Sequence, residues 1–260
     1  MENIPSPQQL FDVTGKVAIV TGATGAFGAA AAMGLAKAGA HVMLTGRKAE
    51  TLEPLTSEIA AAGYSAAFEA GDPISYEDNI RIVAKTVEQF GGVDIVVTAA
   101  GVNKPGAIVE QPVDEWQMVM DVNVKGTYLM LKEAGKVMIE QGRGGKVIIV
   151  SSARSTLGMA NYTAYCPSKA ATDLLAKSLG CEWGPHNINV NAIAPTVFRS
   201  PLTQWMFEDD AFYKNFLRRI PIGRLGEAED FIGTVLFLSS KASDFMTGAI
   251  LAVDGGYTAG

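Results

Sequence analysis

The chain has 260 residues, of which 48% are hydrophobic and 18% charged, and its formal net charge is −6. That balance can bury a large core, shows no sign of disorder, and argues against a general binder of nucleic acid or anionic membrane, either of which needs a basic face. Cys166 and Cys181 are the only cysteines, too few for a disulfide framework, and no metal-ligand spacing surrounds them, so no metal is expected.

Met1 to Gln9 is polar and proline-containing, unlike a secretory signal, and no apolar run reaches the length of a membrane span. A cytoplasmic protein is the expectation. From there, short β-branched runs alternate with Ala-rich helical stretches. The expected strands are Lys16–Thr21, His41–Thr45, Ser65–Ala70, Val93–Thr98, Lys146–Ser151, Asn187–Ile193 and Ala249–Val253. Helices are expected over Phe27–Ala38, Ala49–Ala62, Tyr76–Phe90, Val113–Glu140, Ala164–Trp183 and Glu227–Ser239. Apolar strands each followed by a helix imply a parallel sheet covered on both faces. The fold class is therefore α/β: a doubly wound, seven-stranded, Rossmann-like sheet in a single domain, with ligands at the carboxyl ends of its strands.

The first expected strand runs into Thr21-Gly22-Ala23-Thr24-Gly25-Ala26-Phe27-Gly28, which opens a helix. Glycines there let the backbone turn tightly and approach a pyrophosphate, to which the helix N-terminus offers free amides. The second strand ends in Thr45-Gly46-Arg47-Lys48, without the acid that would accept hydrogen bonds from an adenosine ribose. The Arg47 guanidinium can instead fork onto a 2′-phosphate, which favours NADP over NAD. Further along come Asp72, Ala100-Gly101, Asn123 inside a helical stretch, and Ser152 at the end of an apolar run. Tyr165 and Lys169 lie four residues apart, on one face of a helix. An ammonium beside a phenol stabilises the phenolate, which would bring Tyr165 toward proton exchange near neutral pH. Cys166 has no histidine partner and is not a credible nucleophile; Ser151 reads as a strand-end residue that satisfies the backbone.

Taken together, the glycine-rich turn, Asn123, Ser152 and the Tyr165/Lys169 pair resemble the short-chain dehydrogenase/reductase family in its compact single-domain branch, from about Gly15 to Gly256. The chain departs from that branch at Ala26, Thr98, Ala99 and Thr196. The resemblance implies an oxidoreductase that interconverts a ketone and a secondary alcohol, with Asn123, Ser152, Tyr165 and Lys169 catalytic. It implies cofactor contacts from Gly22, Thr24, Gly25, Phe27, Gly28, Arg47, Asp72, Ala100, Gly101, Tyr165, Lys169, Pro195, Val197 and Ser200. Asp72 would meet the adenine, Lys169 the nicotinamide ribose, and Val197 the carboxamide. In relatives the matching asparagine opens its helix and holds a water near the lysine. Substrate would lie against Arg154 and Tyr162, under a lid at about residues 198–220 that carries Trp205, Met206, Phe207, Phe212, Tyr213 and Phe216. Arg154 could hold a carboxylate or a hydroxyl. The expected partner is a small carbonyl or alcohol, apolar or amphipathic, and the expected assembly is a homotetramer. Gluconate 5-dehydrogenase-like and 3-oxoacyl carrier-protein reductase-like activities both fit the resemblance. A catalytically silent dinucleotide sensor on the same fold is the reading from another class.

Overall fold

The computed structural model describes residues 4–199 and 210–260, with no account of the side chains of residues 210–212. Seven strands form one parallel sheet in the order β3-β2-β1-β4-β5-β6-β7. They are β1 (Val17–Thr21), β2 (His41–Gly46), β3 (Ala66–Ala70), β4 (Ile95–Thr98), β5 (Gly145–Val150), β6 (Ile188–Pro195) and β7 (Ile250–Val253). The seven-stranded parallel architecture expected from the sequence is the one observed.

Period-two alternation sends successive side chains to opposite faces. Ala18, Val20, Val42, Leu44, Ile148 and Val150 join one core cluster; Ile19, Met43, Val147 and Ile149 join the other. The first is covered by α2 (Ala26–Lys37), α3 (Ala49–Ala61) and α9 (Ala228–Ser239), through Leu35, Leu52, Ile59, Phe231 and Val235. The second lies under α4 (Tyr76–Phe90), α6 (Gly126–Gln141) and α7 (Tyr165–Trp183), through Ile82, Met130, Met138, Ala176 and Trp183. Each Leu, Ile, Val, Phe or Met side chain among them, fully buried, contributes about 1.5–3 kcal/mol. Both faces of the sheet are therefore anchored, and the strand ends are fixed relative to one another.

Three differences from the sequence-based expectations matter. The helix expected over Val113–Glu140 is not continuous: α5 (Val113–Met120) passes through a π turn at Asp121–Lys125 before α6 resumes the α-helical repeat. One helical turn, α1 (Pro7–Leu10), precedes the sheet, closed by a capping box between Ser6 and Gln9. A further helix, α8 (Asp210–Leu217), lies within the segment expected to be a lid. Among the described residues, no helix is long and apolar enough to cross a membrane.

Thr21 is in register with Thr45 on one side and Thr98 on the other. The loops after β1, β2 and β4 therefore emerge side by side, where the strand order reverses direction from β1. In doubly wound sheets this crevice is where ligands bind.

Candidate active site

The crevice is a cleft of about 340 Å³. Its wall includes Gly22, Thr24, Gly25, Arg47, Asp72, Ala100 and Gly101, all expected from the sequence, together with Pro73, Ile74, Asn79, Val102, Met118 and Val122, which were not. Gly22 has φ +60°, and a Cβ there would stand 2.7 Å from the Ala100 backbone. A Cβ on Gly28 would overlap the Gly22 carbonyl oxygen. Only glycine lets these two loops touch. Gly25 caps α2 without a side-chain hydrogen bond, so the first amides of the helix are left to a ligand at the cleft.

The departures at Thr98 and Ala99 have a local answer. The Thr21 hydroxyl accepts hydrogen bonds from the Ala99 and Ala100 amides, at 3.1 and 3.2 Å, and so braces the turn after β4. Thr98 Oγ1 is buried with no partner among the described residues. The turn around Asp72 is held from beneath: Asn79 Nδ2 donates to the Pro73 and Ser75 carbonyls, and the Asp78 carboxylate accepts from the Asp72 amide at 2.8 Å. That amide and Arg81 keep the Asp78 carboxyl below the usual carboxylate range. Arg47 lines the cleft and makes no ion pair with a described residue.

Other expected cofactor residues lie elsewhere. Phe27 packs its ring against Phe231 and Phe198, at centroid distances of 4.8 and 5.0 Å, and does not line the cleft. Gly28 serves the close approach just described. Pro195 ends β6, and the carbonyl of Val197 accepts from the Gly226 amide at 3.2 Å. Ser200, Trp205, Met206 and Phe207 lie outside the described residues, as does the side chain of Phe212.

Of the four expected catalytic residues, Asn123 and Lys169 reach one end of this cleft, and Tyr165 and Ser152 lie beyond them. The π turn directs Asn123 inward, where it is 1% exposed. Its Oδ1 accepts from the Val102 amide at 2.8 Å, while Nδ2 donates to the Val102 carbonyl at 3.0 Å and to Ser168 Oγ at 2.9 Å. Ser168 in turn donates to the Tyr165 carbonyl at 2.7 Å. Asn123 thereby ties the loop after β4 to the start of α7. Lys169 is buried and donates to the Val150 carbonyl at 2.7 Å. A Cβ on Gly101 would lie 3.4 Å from Asn123 Oδ1 and 3.6 Å from Lys169 Nζ. Asn123 and Lys169 are thus contiguous with the cleft. Ser152 caps a short 3-10 turn, Ala153–Ser155, its hydroxyl accepting from the Arg154 amide at 3.1 Å.

Electrostatically the site differs from what the Tyr165/Lys169 spacing suggests. Lys169 Nζ is 5.8 Å from the Tyr165 ring centroid and is turned to Val150. Burial pushes the Tyr165 phenol above its ordinary value, and the Ser152 hydroxyl and the Arg154 charge pull it back. The Ser152 hydroxyl is the larger of these two opposing influences. Ser151 also departs from expectation: its hydroxyl is buried with no partner among the described residues.

Tyr162 meets the Tyr165 ring edge-on, with centroids 6.1 Å apart. Arg154 donates to the Tyr257 hydroxyl at 2.6 Å. Tyr257, which the sequence did not single out, is buried beside Ala153, Ile220 and Leu225, with Val197, Tyr213 and Phe216 packed around them. Among the described residues, no group of His, Cys, Asp or Glu could hold a metal ion.

Burial pulls the Lys169 ammonium down from 10.5 to about 8, and the Asp173 carboxylate opposes the shift. Between these two pH values the unfolded chain keeps a proton that the folded protein has released. The contribution of Lys169 to stability should therefore rise with pH across that window. Nitrogen-detected NMR of the lysine side chains should place the Lys169 midpoint near 8 in the cofactor-free protein; a midpoint at the ordinary lysine value would contradict the burial argument.

A sequence model of the family described as Enoyl-(Acyl carrier protein) reductase matches residues 22–258. An uncharacterized oxidoreductase of Mycobacterium tuberculosis is 47% identical over 255 residues, covering 96% of this chain and 93% of that protein. Gluconate 5-dehydrogenase of Gluconobacter oxydans is 34% identical, covering 97% and 98%. The crystal structure of a gluconate 5-dehydrogenase from Burkholderia cenocepacia, in complex with NADP and tartrate, superposes with a TM-score of 0.93 at 29% identity, covering 98% of this chain and 100% of that one. With matches spanning nearly its whole length, the chain belongs to the short-chain dehydrogenase/reductase family of oxidoreductases.

Proposed function

We propose that this protein interconverts a ketone and a secondary alcohol with NADP(H), using Tyr165 as the general acid and base. One observation supports the reading: Asn123 and Lys169 stand beside Gly101, with Tyr165 next to Lys169 and the Ser152 hydroxyl at the phenol, at the end of a cleft whose other walls are Gly22, Gly25, Arg47 and Asp72. The residues present fit a dinucleotide. Gly22 lets its loop pack directly on the Ala100 backbone beside the cleft, the N-cap Gly25 leaves the first α2 amides without a side-chain cap, and Arg47 has no carboxylate partner among the described residues. When bound, the nicotinamide supplies or accepts the hydride.

The chain's own residues would do the rest. Tyr165 gives its phenolic proton to the substrate oxygen in reduction and recovers it in oxidation. Ser152 Oγ hydrogen-bonds the same oxygen and fixes its position. Lys169, held at the Val150 carbonyl, offers its remaining N–H donors to the cofactor ribose hydroxyls. Asn123 keeps the π turn, the loop after β4 and α7 in one alignment. Tyr213 and Phe216, packed about Tyr257, add an apolar wall.

The proton-transfer role is tested by Tyr165→Phe. Carbonyl reduction should fall about 10²–10⁴-fold, with cofactor affinity nearly kept. Near-normal kcat over a panel of neutral ketones would sink the mechanism, and no NADPH consumption by the wild type would favour a silent sensor.

Cofactor choice has its own measurement. The wild type should show a higher kcat/KM with NADPH than with NADH. A Cβ on Gly46 meets only Leu52, at 3.6 Å, so an acid can be accommodated there. Gly46→Asp, which would repel a 2′-phosphate, should reverse the preference by roughly tenfold or more, about 1.4 kcal/mol. A clear NADH preference in the wild type would remove the argument from Arg47.

The proposed assembly uses the uncovered face of α6 and α7. Tyr128 is 50% exposed and Leu174 60%, beside a shallow depression shared with Met120, Val124 and Leu175. Closed symmetric assembly is the usual outcome for such a patch, and a homotetramer is proposed. Light scattering should give a multiple of the 27.4 kDa chain mass; a monomer would refute it.

A further inference from the structure

Next to Ser152 lies a group of charges that the hydride-transfer reading does not use. Arg154 Nη2 donates to Tyr257 Oη at 2.6 Å, and its guanidinium carbon is 5.3 Å from the Tyr257 ring centroid. On the same ring, the Arg219 guanidinium carbon lies 4.6 Å from the centroid. Phe216 stacks against that ring at 5.7 Å, and Tyr257 is 2% exposed, so the ring is a fixed platform.

Two guanidiniums thus share one aromatic ring, in a chain whose net charge is −6. Among the described residues, neither has a carboxylate within ion-pair distance. The neighbouring acid is committed elsewhere: Asp254 accepts from the Gly256 and Thr258 amides and from Thr258 Oγ1, at 2.9, 2.9 and 2.6 Å. Arg154, half-buried, is a cation left without an anion, and two like charges at one ring repel each other. A bound anion would relieve both costs. Arg154 is also anchored at its backbone to the Ser152 hydroxyl. An anion held there would stand beside the residue proposed to orient the reacting oxygen.

We infer that Arg154 and Arg219, set on the Tyr257 ring, form a subsite for a carboxylate on the substrate, with Tyr257 as the positioning residue for Arg154. The inference rests on the proposed dehydrogenase reading and narrows it to hydroxy acids and their keto forms. A guanidinium suits this task because its planar fork matches a carboxylate edge to edge. Arg154's charge also favours the Tyr165 phenolate, after burial and the Ser152 hydroxyl have set the larger part of that balance. A substrate carboxylate would weaken this help, so the subsite bears on proton transfer as well as on binding.

The test uses the full-length enzyme loaded with NADPH, which cannot oxidise an alcohol, so binding is read without turnover. Calorimetric titration compares matched pairs that differ only by carboxylate against hydroxymethyl: gluconate against glucitol, and tartrate against threitol. At least one carboxylate should bind at least about tenfold more tightly than its neutral partner. The gap should close in Arg219→Gln, an exposed position where folding is not at risk, and in Arg154→Gln. Arg154→Lys should restore part of it, and Tyr257→Phe should narrow it without changing either charge. Equal affinities within both pairs would overturn the subsite, as would a gap that survives both glutamine substitutions. Failure of the subsite is distinct from failure of the dehydrogenase reading, which is judged by NADPH consumption over neutral ketones.

Discussion

Asn123 is the joint on which the site depends. Its amide spans the loop after β4, through both backbone groups of Val102, and the first turn of α7, through Ser168. A regular α-helix would keep every backbone group in its own ladder; the π turn at Asp121–Lys125 widens the helix for one turn instead. Thr127 Oγ1 donates to the Asn123 carbonyl at 2.8 Å, giving that loosened group a further partner. An asparagine is suited to this because it carries both a donor and an acceptor at one planar terminus. Its local cost, poor helix propensity, is offset by hydrogen bonds made out of water's reach.

The second constraint is burial of charge. Lys169 is enclosed beneath the cleft with one backbone carbonyl as its hydrogen-bond partner and Asp173 as its opposing charge. Enclosure makes its ammonium give up a proton more readily than an exposed lysine would. The same enclosure acts in the opposite sense on Tyr165, holding its proton on. Desolvation alone would separate the two groups from useful chemistry. Ser152 and Arg154 oppose it at the phenol, and both are placed there by the short 3-10 turn that follows β5. The tuning of the site therefore comes from a turn, supported by the buried ring of Tyr257 near the C-terminus.

Much of this was legible in the sequence because it is encoded locally. The period-two apolar runs, alternating with Ala-rich helical stretches, determined a parallel doubly wound sheet, since strands apolar on both faces must be covered on both. The glycines after β1 marked the cleft, because no other residue permits the approach of Gly22 to Ala100. The four-residue spacing of Tyr165 and Lys169 placed both on one helical face. Asn123 stood out as a residue ill suited to the middle of a helix, although the π turn itself has no period that a pattern could register.

Only the tertiary structure decided the partners, because these are made by residues far apart in the chain. The ring of Phe27 packs on Phe198 and Phe231, which reach it from other elements. Thr21 braces the turn that Thr98 and Ala99 left in question, across 78 residues of chain. Lys169 turns to Val150, and burial is the largest influence on the phenol, because desolvation depends on everything packed around a group. Arg154 and Tyr257 lie 103 residues apart, and nothing in either local sequence pairs them. Local spacing determined which chemical groups the protein carries and on which faces they stand. Long-range packing decided which of them meet, and burial decided how strongly each holds its proton.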